Sequence, residues 1–222
     1  MVTWTVGFDL DMTLIDSRKG VARAIDVVAT EFGLELRGGE LAERLGPPLA
    51  MILADAGAPE ELIPELVARY RELYPEVIGE VPAMVGADAA IDAVVGAGGR
   101  VVVVTGKYQP HAELHVDHLG WPVDVVVGEL WSDGKATALR EHGARVFVGD
   151  HAGDMRGARA AGAYAVAVVT GPCSAEELRA AGADVVLADL TEFPAWLAAF
   201  DEAGAADRAE WSHLHSPVRW SG

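Results

Sequence analysis

Two carboxylates, Asp9 and Asp11, follow the first apolar segment of the chain, residues 4–8. Large apolar residues alternate with small ones in this segment, and that pattern predicts a buried strand. Open parallel sheets bind their ligands beyond the carboxyl ends of the strands, so both side chains would face a ligand site. Two carboxylates placed there can hold a hard cation and can divide the roles of nucleophile and acid between them.

Three later segments carry polar residues in a similar setting. They are Thr105-Gly106-Lys107 after four valines, Lys135 after Ser132-Asp133-Gly134, and the segment Gly149-Asp150-His151-Ala152-Gly153-Asp154 after a short apolar run. Each segment also has a plainer interpretation. Thr105 and Asp154 could be helix caps without any catalytic role, and Lys135 could be a solvated helix residue. The segments occur together with Asp9, Asp11 and Thr13, and for that reason we favour a catalytic site.

The composition limits what the chain can bind. It has 222 residues, of which 51% are hydrophobic, so a sizeable core is possible. Lys and Arg number 17 against 34 for Asp and Glu, which leaves a formal net charge of -17. This field repels nucleic acid and anionic lipid, so we expect neither as a partner. An anionic substrate would need local cations or a metal ion at its site.

Cysteine usage and the termini favour a cytoplasmic protein. Cys173 is the only cysteine, so no intramolecular disulfide can form, which fits a reducing compartment. The first residues lack a basic region followed by a long apolar stretch, so we expect no signal peptide. No apolar run approaches the length of a membrane span.

Apolar runs and helical patterns alternate through most of the chain, which predicts a doubly wound, Rossmann-like parallel α/β sheet. The predicted strands are 4–8, 101–104, 123–127, 146–148, 163–169 and 184–187. The predicted helices are 87–97, 110–119, 135–142, 155–161 and 175–181.

Residues 16–83 break this alternation, because they contain no convincing strand. Helical spacing of apolar residues predicts a helix with Ser17 as its N-cap, and short helices are expected at 40–45 and 49–56. We therefore divide the chain into a core, an all-helical insert and a tail of undecided role. The core comprises 1–15 and 84–203, the insert 16–83 and the tail 204–222.

With these motifs in order, the chain resembles the haloacid dehalogenase superfamily of phosphohydrolases. That family carries D-x-D-x-T, a strand-end Ser or Thr, a Lys, and an acidic G-D-x-x-x-D loop. The resemblance covers nearly the whole chain and places the insert where the family has its helical C1 cap. It looks most like the phosphoglycolate phosphatase-like group, because Asp16-Ser17 follows the first motif and Gly46-Pro47-Pro48-Leu49 lies in the insert.

The resemblance implies a Mg²⁺-dependent phosphatase that hydrolyses a small phosphorylated metabolite. Asp9 would attack phosphorus and form an aspartyl-phosphate, which splits one hard step into two. Asp11 would protonate the leaving oxygen and then activate water. For the first task Asp11 needs a raised pKa, which neighbouring carboxylates can supply.

The resemblance also assigns the remaining site residues. The expected metal ligands are the carboxylates of Asp9 and Asp150, the carbonyl of Asp11, and Asp154 either directly or behind a direct ligand. Thr105 and Lys135 join Asp9 and Asp11 as catalytic residues, with Lys135 offsetting the negative charge. Phosphate binding is expected from Thr13, Gly106 and Lys107, although a surface position for Lys107 remains open.

Met12 departs from the family pattern, because Gly commonly stands at this position. Gly would serve backbone freedom near the phosphate. Met can occupy the position with ordinary dihedral angles, and its side chain would then narrow the site. The departure concerns the size of the substrate and not the class of reaction.

Two groups of residues in helical patterns have both plain and functional interpretations. His111, His115 and His118 share one helix face with spacing that could bind zinc, but we favour a polar helix surface because no acidic or cysteine partner is evident there. Tyr70, Arg71 and Tyr74 in the insert could reach a substrate, although a core and a solvated face explain them equally well.

Two alternatives to a phosphatase remain. A phosphomutase of the same superfamily would keep the same core. A non-enzymatic, phosphate-responsive module similar to a response-regulator receiver would also use Asp, Thr and Lys at strand ends. The helical insert argues against the second alternative, because receivers have no such cap. Neither the substrate nor the oligomeric state follows from the sequence.

Overall fold

The computed structural model describes residues 4–200 and contains one parallel sheet. Its strands are β1 (Thr5–Phe8), β2 (Arg100–Val104), β3 (Val125–Val127), β4 (Ala144–Gly149), β5 (Tyr164–Val168) and β6 (Val185–Leu187). In the described residues the sheet has six strands in the order β3-β2-β1-β4-β5-β6. The predicted doubly wound α/β fold is therefore confirmed.

The strand order creates a crevice at the carboxyl end of β1. The chain proceeds from β1 to β2 and β3 on one side and then returns to the other side at β4. Ligand sites of open α/β sheets lie where the strand order reverses in this way. Asp9 is held at this point, because its amide donates to the Val148 carbonyl of β4 at 2.8 Å.

Both faces of the sheet are covered by helices. The helices are α1 (Arg18–Phe32), α2 (Gly38–Ala42), α3 (Leu49–Asp55), α4 (Ile63–Leu73), α5 (Ala87–Gly96), α6 (Gln109–Leu119), α7 (Lys135–Glu141), α8 (Ala152–Ala161) and α9 (Ala175–Ala180). Residues 193–200 are also helical, and short 3₁₀ segments cover Glu60–Leu62, Tyr74–Glu80 and Ser132–Gly134. None of the helices in this described part is long and apolar enough to cross a membrane.

Side chains of alternate strand residues enter two different clusters. Val101 and Val103 pack with α5 and α6 on one face, whereas Phe147 packs with α7, α8 and α9 on the other. Gly7 is required on the second face, because a Cβ there would lie 2.8 Å from both Leu139 and Phe147. The missing side chain lets the Phe147 ring lie across β1.

Several predicted helix ends shift in the structure. The helix expected at 40–45 lies at Gly38–Ala42. Helix α8 begins three residues early at Ala152, because His151 and Asp154 form a capping box at its start. Ser17 holds the predicted N-cap position of α1, but its backbone is already helical and its side chain accepts no cap hydrogen bond.

The insert has a hydrophobic cluster separate from the two clusters of the sheet. It is formed by residues of α1 to α4 and of the segment Tyr74–Glu80. This separation supports the division into a core and a helical cap at 16–83, which stays a prediction. The tail predicted for 204–222 lies outside the described residues.

Met12 joins the insert to the core through an unusual backbone conformation. Its φ is +62°, so Met12 occupies this position in the left-handed region and not with ordinary dihedral angles. The amide donates to the Ile15 carbonyl at 2.8 Å, and the carbonyl accepts the Thr170 hydroxyl at 2.6 Å. The Met12 side chain is buried in the hydrophobic cluster of the insert. It does not line the cavity of about 280 Å³ between the insert and the core, and so it does not narrow that cavity as expected.

Met12→Gly tests which of two opposing effects dominates. Gly removes the left-handed strain of about 1–2 kcal/mol, but loss of a buried Met side chain costs about 2–5 kcal/mol. We therefore expect a net loss of roughly 1–3 kcal/mol in the free energy of unfolding, measured by urea denaturation. Met12→Leu, which keeps the volume, should cost less than about 1.5 kcal/mol. If the Met12→Gly protein were as stable as the parent, burial of the Met12 side chain would not outweigh the strain of its left-handed backbone.

Candidate active site

Three carboxylates from different elements meet at the carboxyl end of the sheet. Asp9 follows β1, Asp150 follows β4, and Asp154 lies in the first turn of α8. One oxygen from each lies within 4.8 Å of the others, and all three residues are buried. In residues 4–200 this is the one such group of potential metal ligands.

Lys135 neutralises part of this charge. Its Nζ lies 2.6 Å from Asp154 Oδ1 and 3.0 Å from Asp9 Oδ1, and its side chain is fully buried at the start of α7. Burial works against the ammonium charge, but the Asp154 and Asp9 carboxylates together hold the pKa of Lys135 above its usual value. The sequence predicted this lysine at the site, and the structure places it between two of the carboxylates.

The single positive charge of Lys135 does not balance the three carboxylates of this buried cluster. Burial, with Asp154 close by, raises the pKa of Asp9 to about 7 despite the opposing effect of Lys135. Burial and the nearby Asp154 and Asp9 charges also raise the pKa of Asp150. Asp9 Oδ1 is paired with the Lys135 ammonium at 3.0 Å, whereas Asp150 Oδ2 accepts no hydrogen bond from the described residues. The Asp150 oxygen is therefore available to a further cation.

Neighbouring residues hold Asp150 and Asp154 in place. The fully buried Thr13 hydroxyl donates to Asp150 Oδ1 at 2.8 Å. A Cβ on Gly171 would lie 1.7 Å from Asp150 Oδ2, so only glycine lets the backbone approach this carboxylate. Both Asp154 oxygens are also engaged, since Oδ1 accepts from Lys135 and Oδ2 accepts the His151 amide at 3.1 Å.

Asp11 forms a second charged pair, with Lys107. The Lys107 Nζ donates to Asp11 Oδ1 at 2.8 Å, and the lysine side chain is only 6% exposed. Lys107 is therefore not a surface residue. Burial alone would raise the pKa of Asp11, but the Lys107 charge and hydrogen bond lower it below its usual value. The expectation of a raised pKa for Asp11 is wrong for this state of the protein.

The insert packs an aromatic residue against Lys107. The Tyr74 ring centroid lies 4.4 Å from Lys107 Nζ, and its hydroxyl is 3.0 Å from His115 Nε2. His111 stacks on the same ring at 4.6 Å. The polar helix surface predicted for the histidines is wrong for His111 and His115, which are buried by this contact, and right for the exposed His118.

The loop at the end of β2 carries the other predicted site residues. Thr105 is buried, and its hydroxyl accepts the Lys107 amide at 3.2 Å. The Gly46 loop of the insert covers this region, because a Cβ on Gly106 would lie 3.1 Å from the Gly46 carbonyl. Gly46 also lies against His151 and Trp131, which the sequence patterns did not single out. No motif marks Trp131, since it contributes bulk and not a catalytic group.

This combination of fold and site agrees with the comparison to known families. Residues 6–168 match the family described as haloacid dehalogenase-like hydrolase. The chain belongs to this family, so it is a hydrolase of the phosphatase type.

Within the family, the chain is similar to phosphoglycolate phosphatases. It is 32% identical over 199 residues to the phosphoglycolate phosphatase of Xylella fastidiosa, a match that covers 78% of this chain and 83% of the relative.

Solved structures share the fold. One is a haloacid dehalogenase-like hydrolase from Streptococcus pneumoniae, with a TM-score of 0.77, 24% identity, and coverage of 88% of this chain and 98% of that one. Another is described as a predicted phosphoglycolate phosphatase from Haemophilus somnus, with a TM-score of 0.73, 18% identity, and coverage of 86% and 96%.

The raised pKa of Asp9 predicts a pH-dependent stability in the absence of divalent cations. The folded protein holds a proton on Asp9 up to about pH 7, whereas the unfolded chain loses it near 3.8. Stability must therefore fall as the pH rises through this window. Between pH 5.5 and pH 8 the parent should lose roughly 1–2 kcal/mol relative to Asp9→Asn, at about 1.4 kcal/mol per pKa unit.

Denaturant unfolding of both proteins in a chelator, at the two pH values, measures this difference. Titrating groups distant from Asp9 cancel because they are common to the two proteins, whereas Asp150, whose pKa is raised by burial and by the Asp154 and Asp9 charges, contributes to the measured difference. Parallel pH profiles would show that the folded protein does not hold the Asp9 proton.

Proposed function

We propose that this chain is a Mg²⁺-dependent phosphatase that hydrolyses a small phosphate monoester through an aspartyl-phosphate on Asp9. The observation that carries the proposal is the buried Asp9 carboxylate, which is paired with Lys135 at 3.0 Å and has an oxygen within 4.8 Å of Asp150 and Asp154 oxygens. The family and the similarity to a phosphoglycolate phosphatase support the same reaction class.

Asp9 is the proposed nucleophile. Its backbone is anchored to β4, and Lys135 contacts its carboxylate at 3.0 Å, so its orientation is restricted. Attack of the carboxylate on phosphorus would form the aspartyl-phosphate and expel the alkoxide. Thr105 and the Gly106 amide lie at the neighbouring strand end, where we propose that they bind phosphoryl oxygens. Lys135 would offset charge on Asp9 and the phosphoryl group.

Asp11 is the proposed acid and base, and Lys107 controls its charge. In the absence of substrate, the ion pair keeps Asp11 ionised. We propose that an arriving phosphoryl dianion competes with Asp11 for the Lys107 ammonium. The dianion and the weakened ion pair would both raise the pKa of Asp11, which would take up a proton from solvent and give it to the leaving oxygen. After departure the ionised carboxylate would activate water.

The donor set fits Mg²⁺. When ionised, Asp9, Asp11, Asp150 and Asp154 carry four negative charges against two from Lys107 and Lys135, so a divalent cation restores neutrality. All the donors are hard oxygens, which Mg²⁺ prefers. Bound Mg²⁺ would lower the repulsion between the phosphoryl oxygens and the attacking carboxylate.

We propose Asp150, whose Oδ2 accepts no hydrogen bond from the described residues, and the clustered Asp9 as the direct carboxylate ligands, with the Asp11 carbonyl. Asp154 would not contact the metal ion directly. It would orient the site by accepting hydrogen bonds from Lys135 and the His151 amide. Thr13 likewise would orient Asp150 and not contact phosphate.

Asp9→Asn should lower kcat for 4-nitrophenyl phosphate by at least roughly 10³-fold, because the neutral amide cannot attack phosphorus. The test is release of inorganic phosphate with saturating Mg²⁺, with circular dichroism to establish folding. The parent should lose activity in a chelator and regain it with added Mg²⁺. Near-normal turnover by a folded Asp9→Asn protein would reject the mechanism. Conversion of a sugar phosphate to an isomer without phosphate release would instead show a phosphomutase.

Asp11→Asn should separate the two chemical steps. A nitrophenolate leaving group needs no proton, so the variant should release about one equivalent of nitrophenol per protein in a burst and then stall, because water is not activated. Ethyl phosphate, whose alkoxide needs a proton, should give no burst. Rapid-quench kinetics measures both, and Asp9→Asn is the matched control without any burst. Steady turnover of ethyl phosphate by Asp11→Asn would remove this residue from the mechanism.

A further inference from the structure

A cavity of about 280 Å³ lies between the helical insert and the core. Asp11, Gly106 and Lys107 are among its lining residues, so it adjoins the proposed phosphate site. For comparison, a buried apolar cavity of about 150 Å³ holds benzene. The cavity is therefore larger than glycolate, the two-carbon leaving group of phosphoglycolate, requires.

The wall that the insert contributes is mostly apolar. Its aliphatic residues are Val21, Leu45, Pro47, Pro48, Leu49, Ala50, Ile52 and Val67. Such a surface gains little from a charged ligand, whereas each methylene group buried against it improves binding by about threefold to fourfold. The shape and lining favour a leaving group with a hydrocarbon body.

Among the described residues that line the cavity, both cationic side chains are already paired. Lys107 is bound to Asp11 at 2.8 Å, and Arg71 is bound to Glu129 at 2.9 Å. The Arg71 guanidinium also lies 3.7 Å from the centroid of the Tyr108 ring. The phosphoryl group itself competes for Lys107, and Glu129 offsets the positive charge that Arg71 would offer to a carboxylate on the leaving group. The pair is 38% and 51% exposed, so it weakens the attraction of such a carboxylate and does not block it.

We propose that the leaving group is a neutral, largely apolar alcohol of benzene size or larger. This proposal rests on the proposed phosphatase function. The phosphate ester would place its phosphoryl group at Asp9 and its hydrocarbon body against the wall of the insert. On this basis the Arg71–Glu129 pair disfavours substrates with a second anionic group.

A series of alkyl phosphates tests the proposal with the full-length protein and Mg²⁺. The probes are ethyl, butyl and 2-phenylethyl phosphate, which have similar leaving groups, and phosphoglycolate. We expect kcat/KM to rise at least tenfold from ethyl to 2-phenylethyl phosphate, and phosphoglycolate to fall below 2-phenylethyl phosphate. A flat series, or phosphoglycolate as the preferred substrate, would overturn the proposal and leave the phosphatase function intact. No turnover of any ester, 4-nitrophenyl phosphate included, would overturn both.

Substitutions of the wall provide a second test. Val67→Phe fills the cavity and should lower the ratio of kcat/KM for 2-phenylethyl phosphate to that for ethyl phosphate by about tenfold. Ala50→Phe, at an exposed position of the same wall, is a second variant in case Val67→Phe does not fold. Val27→Phe, on the solvent side of α1, is the matched control and should leave the ratio unchanged. An unchanged ratio in both cavity variants would contradict the proposal.

Glu129→Gln tests the paired arginine. The substitution keeps the shape of the side chain but releases the Arg71 charge. We expect kcat/KM for phosphoglycolate to increase severalfold relative to ethyl phosphate. No relative gain would show that the ion pair does not select against anionic leaving groups.

Discussion

The structure depends on burying four carboxylates beside two lysines at one edge of the sheet. Isolated charges are costly to bury, so each carboxylate must be paired, hydrogen-bonded, protonated or bound to metal. Lys135 pairs with Asp9 and Asp154, while Thr13 holds Asp150. Burial, together with the negative charge that the lysines leave unneutralised, raises the pKa of Asp9 and Asp150. A site that is electrostatically incomplete in this way is suited to a divalent cation and an anionic substrate.

The helical insert completes the other end of the site. Tyr74 faces the ammonium of Lys107, which in turn holds Asp11. Met12 extends from the catalytic loop into the hydrophobic cluster of the insert, and Gly46 covers the Gly106 region. The position of the insert and the charge state of Asp11 are therefore coupled through direct contacts. A shift of the insert would change the environment of the proposed acid.

The proposed reaction and the proposed specificity depend on different parts of the chain. The proposed nucleophile, acid and metal ligands follow β1 and β4, whereas the apolar wall of the cavity belongs to the insert. Similarity to a phosphoglycolate phosphatase over 199 residues is therefore stronger evidence for the type of reaction than for the identity of the leaving group. In this chain the paired state of Arg71 and the volume of the cavity favour a neutral leaving group.

The sequence by itself determined the sheet and the positions of the catalytic motifs. Valine runs that are buried on both faces have few alternatives to parallel strands, and the residue after each run must lie at the same edge. For that reason Asp9, Thr105 and Asp150 could be placed together without coordinates. Local patterns also identified the helical insert, because apolar spacing of 3.6 residues is a property of the helix itself.

Only the tertiary structure decided the contacts between the insert and the core. Nothing in the local sequence shows that Tyr74 buries His111 and His115, or that Lys107 pairs with Asp11 and lowers its pKa. The sequence also left the φ of Met12 open, because a hydrogen bond from Thr170, 158 residues away, helps to hold that backbone. Pairing, burial and pKa depend on which distant side chains meet, and that is set by packing of the whole chain.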